Sequence, residues 1–156
     1  MLTGVFALCY PVWMTTEIRP AQNQDREALA DLYLSVRQKT FYWIAPENLH
    51  HEDFAKDTAG EHILVAVQQK IPIGFISLWM ADNFIHHLFI APSTQSHGVG
   101  TKLLCTGLNL IGRPARLKCL AQNTKACSFY ENLGWRIEST TDDPTTGPYH
   151  TYVLNR

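Results

Sequence analysis

The sequence predicts an α+β domain: a mixed, mostly antiparallel twisted sheet with helices on both faces. Three observations predict it. Apolar periodicity switches repeatedly between extended and helical along 156 residues, in the order β-α-α-β-β-β-α-β-α-β-β. Two extended runs flank a tight Gln69-Lys70 turn, which is a hairpin signal. The run 84–90 passes through a turn into a helix and then into a further short extended run, the pattern of a right-handed parallel crossover.

The elements follow in order. Residues 16–19 form a short first strand. Residues 25–39 form an amphipathic helix, with Leu29, Leu32, Tyr33 and Val36 at i, i+3, i+4 and i+7. Three aromatics, Phe41, Tyr42 and Trp43, precede Pro46, which opens a second helix with Phe54 and Ala55 on its apolar side and Gly60 at its end. Residues 62–68 and 73–80 pair as the hairpin. Residues 84–90 are rich in β-branched and aromatic types and read as a buried strand. Pro92 ends that strand. Leu103, Leu104, Leu108 and Ile111 set a third helix. Residues 117–121 are a strand, and 124–133 a last helix with Ala126, Phe129, Tyr130 and Leu133 as its stripe and Gly134 at C′. Residues 135–140 and 149–154 close the sheet around a polar loop, 141–148.

Composition bounds the function. Hydrophobic residues at 46% and charged residues at 17% describe a soluble globular chain, and the length suits one domain with a real core. A formal net charge of −1 with no Lys/Arg cluster gives no electrostatic case for nucleic acid. Cys9, Cys105, Cys119 and Cys127 form no C-x-x-C pair and read as free buried thiols of a reducing, cytoplasmic compartment. Residues 1–13 are apolar but too short to span a bilayer, and they lack a charged signal n-region. We expect an apolar extension over 1–13 and a single domain over 14–156. Met14 is then a candidate initiator, and the extension makes a homodimer plausible. No membrane partner is expected.

The segment 95–100 carries the chemistry. Gly98 and Gly100 fall in the first turn of the third helix, where each glycine costs about 1 kcal/mol relative to alanine. Something must approach that backbone closely, unless the glycines only permit tight strand-to-helix packing. A helix start offers unpaired N–H groups and the positive end of the dipole, which suits phosphate. The spacing fits neither the P-loop nor the dinucleotide fingerprint.

Gln95-Ser96-His97-Gly98-Val99-Gly100 resembles Q/R-x-x-G-x-G/A, the pyrophosphate signature of the GNAT (Gcn5-related) N-acetyltransferases. Asn123-Thr-Lys-Ala126-Cys-Ser-Phe129-Tyr130-Glu-Asn-Leu133-Gly134-Trp135 resembles the N-x-x-A-x-x-F-Y-x-x-x-G-F/W segment of the same family. The resemblance covers about residues 18–154. It implies the GNAT fold and transfer of an acetyl group from acetyl-CoA, as co-substrate, to a primary amine of a small molecule or peptide. Backbone groups of Leu88, Phe89 and Ile90 would pair with the pantetheine arm. The amides from Gln95 through Ser96, His97, Gly98, Val99 and Gly100 to Thr101 would hold the pyrophosphate. Asn123 would contact the pantetheine or the strand edge. His97 and Lys102 would add positive charge.

Such a transfer has two proton problems. An amine of pKa near 10.4 is about one part in a few thousand neutral at pH 7, worth roughly 4.6 kcal/mol. A departing thiolate, with a pKa near 8.5, is helped by a general acid. A strand N–H can serve the developing oxyanion. The resemblance places Tyr130 as the acid and His86 as the base. His86 and His87 are consecutive strand residues, so alternation should send them to opposite faces. For that reason, and because no Cys/Asp/Glu constellation is visible, no metal is expected at His86/His87 or at His50/His51. Tyr42, Trp43 and Trp79 are candidate substrate-binding residues, with the 141–148 loop at the pocket edge. Asp82, Asp142 and Asp143 could attract a cationic amine. Two alternatives stand beside the enzyme: a non-catalytic acyl-CoA-binding regulatory module, and an interaction domain with no CoA site.

Overall fold

The computed structural model describes residues 15–95 and 97–156. The 1–13 extension, Met14 and Ser96 lie outside the described residues. The strands are β1 (Glu17–Pro20), β2 (His62–Gln68), β3 (Ile71–Trp79), β4 (Phe84–Ile90), β5 (Ala115–Leu120), β6 (Arg136–Thr141) and β7 (Tyr149–Leu154). The helices are α1 (Arg26–Thr40), α2 (Asp53–Asp57), α3 (Val99–Leu108) and α4 (Thr124–Asn132). The strands make one sheet in the order β1-β2-β3-β4-β5-β7-β6. Every pairing is antiparallel except β4 with β5.

Strand alternation builds two cores from one sheet. In β2, Leu64 and Ala66 face one way and Val65 and Val67 the other. The first set packs with Ile76, Leu78 and Ile85 under Leu103 and Leu104 of α3 and Tyr130 of α4. The second packs with Phe75 under Leu29, Leu32, Tyr33 and Val36 of α1 and Phe54 of α2. Central strands covered on both faces read as near-continuous apolar runs, and β2 and β3 do so.

Some boundaries differ from expectation, each for a local reason. The hairpin turn is Gln69-Lys70 as expected, and both residues have positive φ (50° and 64°), the requirement of a type I′ turn. β3 begins at Ile71 and not at residue 73. Pro72 enters the strand because it sits opposite Val67 at a register shift, where a missing ladder donor is tolerated. The second helix is shorter than expected: Pro46–Asn48 is a separate 3-10 turn, and only Asp53–Asp57 is α-helical. α3 stops at Leu108, where the Leu110 N–H bonds the Gly107 carbonyl (3.0 Å) in a tightened turn, although Ile111 stays in the core. Cys119 and Cys127 are buried free thiols, but Cys105 is exposed. No helix among the described residues is long and apolar enough to cross a membrane.

The entry to α1 is fixed by a buried charge. Arg19 donates twice to Asp25 (2.7 and 3.0 Å), and the Gln22 N–H donates to the same carboxylate (2.7 Å). The Arg19 hydrogen bonds, with help from the Gln22 amide, hold the Asp25 carboxyl below its ordinary value against the opposing effect of burial. A depressed native pKa stabilises the fold above the unfolded-state pKa, about 3.9, and that stability is lost as pH falls through the folded value. Urea midpoints should therefore decline on acidification below about pH 4, and the decline should be shallower in Asp25→Asn.

Candidate active site

β4 and β5 pair at only two positions, Phe84↔Arg116 and Ile85↔Leu117. Beyond them β4 continues on β3, and β5 continues on β7. The two strands part, and β4 from His86 to Ile90 has no strand partner on that side among the described residues. The Ala91 N–H bonds the Ile73 carbonyl (2.7 Å), so ladder alternation commits the backbone of Phe89 and His87 to β3. The backbone of Leu88 and Ile90 therefore faces the gap. The Ile90 carbonyl is engaged there by Gln95 Nε2 (3.0 Å), while Lys125 Nζ donates to Gln95 Oε1 (3.3 Å). Lys125, a residue the sequence reading did not single out, thus brings positive charge to the same loop.

α3 begins at the mouth of this gap. Gly98 is its N-cap with φ +80°, in the left-handed region that favours glycine. A Cβ there would meet no atom of the described residues within 4 Å, and one on Gly100 would meet Phe129 at 3.6 Å and Ile90 at 3.7 Å, which is ordinary contact. Neither glycine is needed for tight packing, so the packing explanation for the pair fails. Among the described residues Lys102 is the first to bond back, to the Gly98 carbonyl (3.0 Å), and the preceding N–H groups of the turn have no intrahelical acceptor among those residues. His97 is exposed beside them. Lys102 Nζ bonds the Thr16 carbonyl (2.7 Å) and so is tied to the start of β1.

Tyr130 lies on the inner face of α4, buried among Phe129, Trp135 and Tyr152. Burial, reinforced by Cys119 and Cys127, pushes its phenol well above the ordinary range, so it stays protonated. Burial likewise lifts the Cys119 thiol. Asn123 is the N-cap of α4, its Oδ1 accepting from the Ala126 N–H (3.3 Å).

The two histidines overturn one expectation. The register shifts between Ser77 and Leu78, which pair with His87 and Ile85, so His86 is an extra residue on β4. A bulge cancels alternation locally. His86 and His87 consequently share one face, with ring centroids 4.1 Å apart. Both meet Glu61, just before β2: His86 Nδ1 contacts Oε1, and His87 Nδ1 lies 3.7 Å from Oε2. His87 Nδ1 is 2.9 Å from Ser77 Oγ, and its Nε2 is 3.3 Å from the Tyr33 hydroxyl, which donates to Asp57 (2.9 Å). Burial pushes the His87 imidazolium down against the opposing pull of Glu61. Burial pushes the Glu61 carboxyl up, but His87, Ser77 and His86 outweigh it and hold it low. His86 is 47% exposed, and the Glu61 side chain only 4%. Glu61 carries no motif or periodicity that would have marked it in the sequence.

Trp79 lines a cleft of about 330 Å³ with Gly60, Glu61, His62, Met80 and Ala81. Tyr42, 82% exposed, packs on Trp43, whose ring also meets Phe41, and neither Tyr42 nor Trp43 lines that cleft. In the 141–148 loop Asp143 Oδ1 accepts from the Thr145 and Thr146 amides (2.8 and 2.9 Å), which gives that carboxylate a turn-forming role.

Comparison with known proteins bears on this geometry. The acetyltransferase (GNAT) domain family matches residues 21–144. An uncharacterized N-acetyltransferase of Bacillus subtilis (strain 168), YhfO, is 30% identical over 154 residues, covering 88% of this chain and 96% of that protein. The solution structure of apo-form YjaB from Escherichia coli superposes with TM-score 0.76 at 21% identity, over 90% of this chain and 97% of that one. The PaiA N-acetyltransferase from Thermoplasma acidophilum, in complex with coenzyme A, superposes with TM-score 0.74 at 21% identity, over 90% of this chain and all (100%) of that one.

Proposed function

Since the chain belongs to the GNAT acetyltransferase family and is an acyltransferase, we propose that it transfers the acetyl group of acetyl-CoA directly to a primary amine of a small molecule or peptide. The observation that carries this reading is the open β4 edge meeting an α3 N-terminus whose glycines serve no packing purpose. The coenzyme A bound to the Thermoplasma relative supports the same choice of co-substrate. Residues 14–156 act as one N-acetyltransferase domain behind the 1–13 segment, and the cytoplasm is the compartment that suits its free thiols.

The residues divide the work. N–H groups from Gln95 to Thr101 hold the pyrophosphate at the positive end of α3, with His97 and Lys125 adding charge. The outward backbone of Leu88 and Ile90 receives the pantetheine arm as an added strand would, with Phe89 anchoring the ladder on β3. Asn123 fixes the start of α4 and the wall opposite. Bound there, acetyl-CoA supplies an activated thioester carbonyl.

His86, exposed on the bulge and backed by Glu61, accepts the proton of the incoming amine. Tyr130 donates a proton to the departing thiolate. Its phenol is a weak acid in that setting, but the burial that lifts the phenol also lifts a thiolate released beside it, as it lifts Cys119. Trp79 forms the acceptor wall next to Glu61.

The test is acetyl-CoA-dependent thiol release across a panel of primary amines. Turnover with at least one amine is expected. Tight acetyl-CoA binding with no turnover on any amine would instead favour a non-catalytic acyl-CoA-binding module.

A further inference from the structure

Consecutive strand histidines should diverge, so alternation alone predicts no metal at His86 and His87. The bulge at His86 removes that reason. We propose that Glu61, His86 and His87 form a binding site for a divalent transition-metal ion of the zinc class, and that loading it takes His86 away from the amine, so that metal and acetyl transfer are antagonistic. The site stands on its own geometry; only the antagonism rests on the acetyltransferase reading.

Four observations carry the site. First, the donors suit the ion: two imidazoles and one carboxylate are zinc-type ligands, whereas magnesium and calcium prefer oxygen alone. Second, they converge. One ligand atom from each of the three residues lies within 4.8 Å of the others. Glu61 Oε2 and His87 Nδ1 are 3.7 Å apart, close to the spacing of about 3.4 Å between two ligands held near 2.1 Å from a tetrahedral ion.

Third, a buried acceptor is left over. The Glu61 side chain is 4% exposed, and no donor among the described residues comes within hydrogen-bond distance of its Oε2, the His87 Nδ1 lying 3.7 Å away. A buried carboxylate oxygen without a donor is expensive, and a cation beside it removes that cost. Fourth, the outer support is present. His87 Nε2 faces the Tyr33 hydroxyl, which is itself bonded to Asp57. A partner on the distal nitrogen fixes the ring and leaves Nδ1 to coordinate, as outer ligands of metal-bound histidines do. Ser77 Oγ holds that Nδ1 in the free protein and gives up the contact when the ion binds. The exposed ring of His86 leaves a solvent-facing side for entry and for a water ligand.

A second group, Glu27, Asp31 and His51, also converges. Its carboxylates are largely exposed on α1, so it serves as the internal control.

Metal-free protein should be titrated with Co²⁺ and followed by its visible d–d absorption, with Zn²⁺ competing for the same site. The expected result is one equivalent bound, with a low-coordinate spectrum. His86→Ala, at an exposed position outside the core, should abolish that spectrum, and Asp31→Asn should leave it unchanged. Tyr33→Phe, which keeps all three ligands, should weaken binding by about 10- to 100-fold. In the transfer assay Zn²⁺ should inhibit and a chelator should restore, with acetylated amine measured because the freed thiol itself binds zinc. No saturable Co²⁺ spectrum, or the same spectrum in His86→Ala, would overturn the site. Binding with undiminished transfer would overturn the antagonism. Co²⁺ binding in a protein that acetylates no amine would sink the acetyltransferase reading and leave the site standing.

Discussion

Tyr130→Phe should lower acetyl-CoA-dependent transfer by about 10²- to 10⁴-fold, the usual worth of a positioned general acid. The substitution removes one oxygen and keeps the ring. Its contacts with Phe129, Trp135 and Tyr152 therefore survive, and so should the fold. The loss should fall on kcat, with KM for acetyl-CoA little changed, because the hydroxyl acts on the leaving group and the coenzyme is held elsewhere. Steady-state kinetics read both at once. A variant within a few fold of the parent would remove Tyr130 from the chemistry and leave it as a core aromatic of α4.

Leu103→Ala should cost about 2–5 kcal/mol of stability. Leu103 is fully buried in the centre of α3, in the core formed with β2, β3 and β4. Its removal leaves a cavity between the helix and the sheet. The same packing sets where the α3 N-terminus stands relative to Ile90, so acetyl-CoA binding should weaken along with the fold. Urea denaturation gives the first effect, and thermal shift with ligand gives the second. Loss of less than about 1 kcal/mol would mean that α3 is held mainly by other contacts.

The fold was legible because most of its signals are local. The apolar run in residues 62–68, the Gln69-Lys70 turn and the strand–turn–helix at 84–108 each rest on neighbouring residues. Pro72 lies in β3, ahead of the strand expected at 73–80, because the bulge that accommodates it depends on the partner strand. The same physics hid the site. A bulge is a property of pairing, so nothing in Ile85-His86-His87-Leu88 states that two histidines will share a face. Glu61 reaches them from the position just before β2, across β3, through the order of strands in the sheet. The glycines of α3 were legible as an invitation to a ligand, but only the open space around Gly98 separates that reading from tight packing.

The central claim is that the gap between β4 and β5, with the α3 N-terminus at its mouth, binds acetyl-CoA. Thermal denaturation with and without millimolar acetyl-CoA tests it most directly. At 100 times its dissociation constant a ligand stabilises the native state by roughly 2.7 kcal/mol, which raises the midpoint of a chain this size by several degrees. We expect that rise, and we expect coenzyme A itself to produce most of it, because the pyrophosphate and pantetheine contacts do not involve the acetyl group. An unchanged midpoint at saturating acetyl-CoA would mean that residues 95–101 are only a turn into a helix, and the account of the site would fail at its foundation.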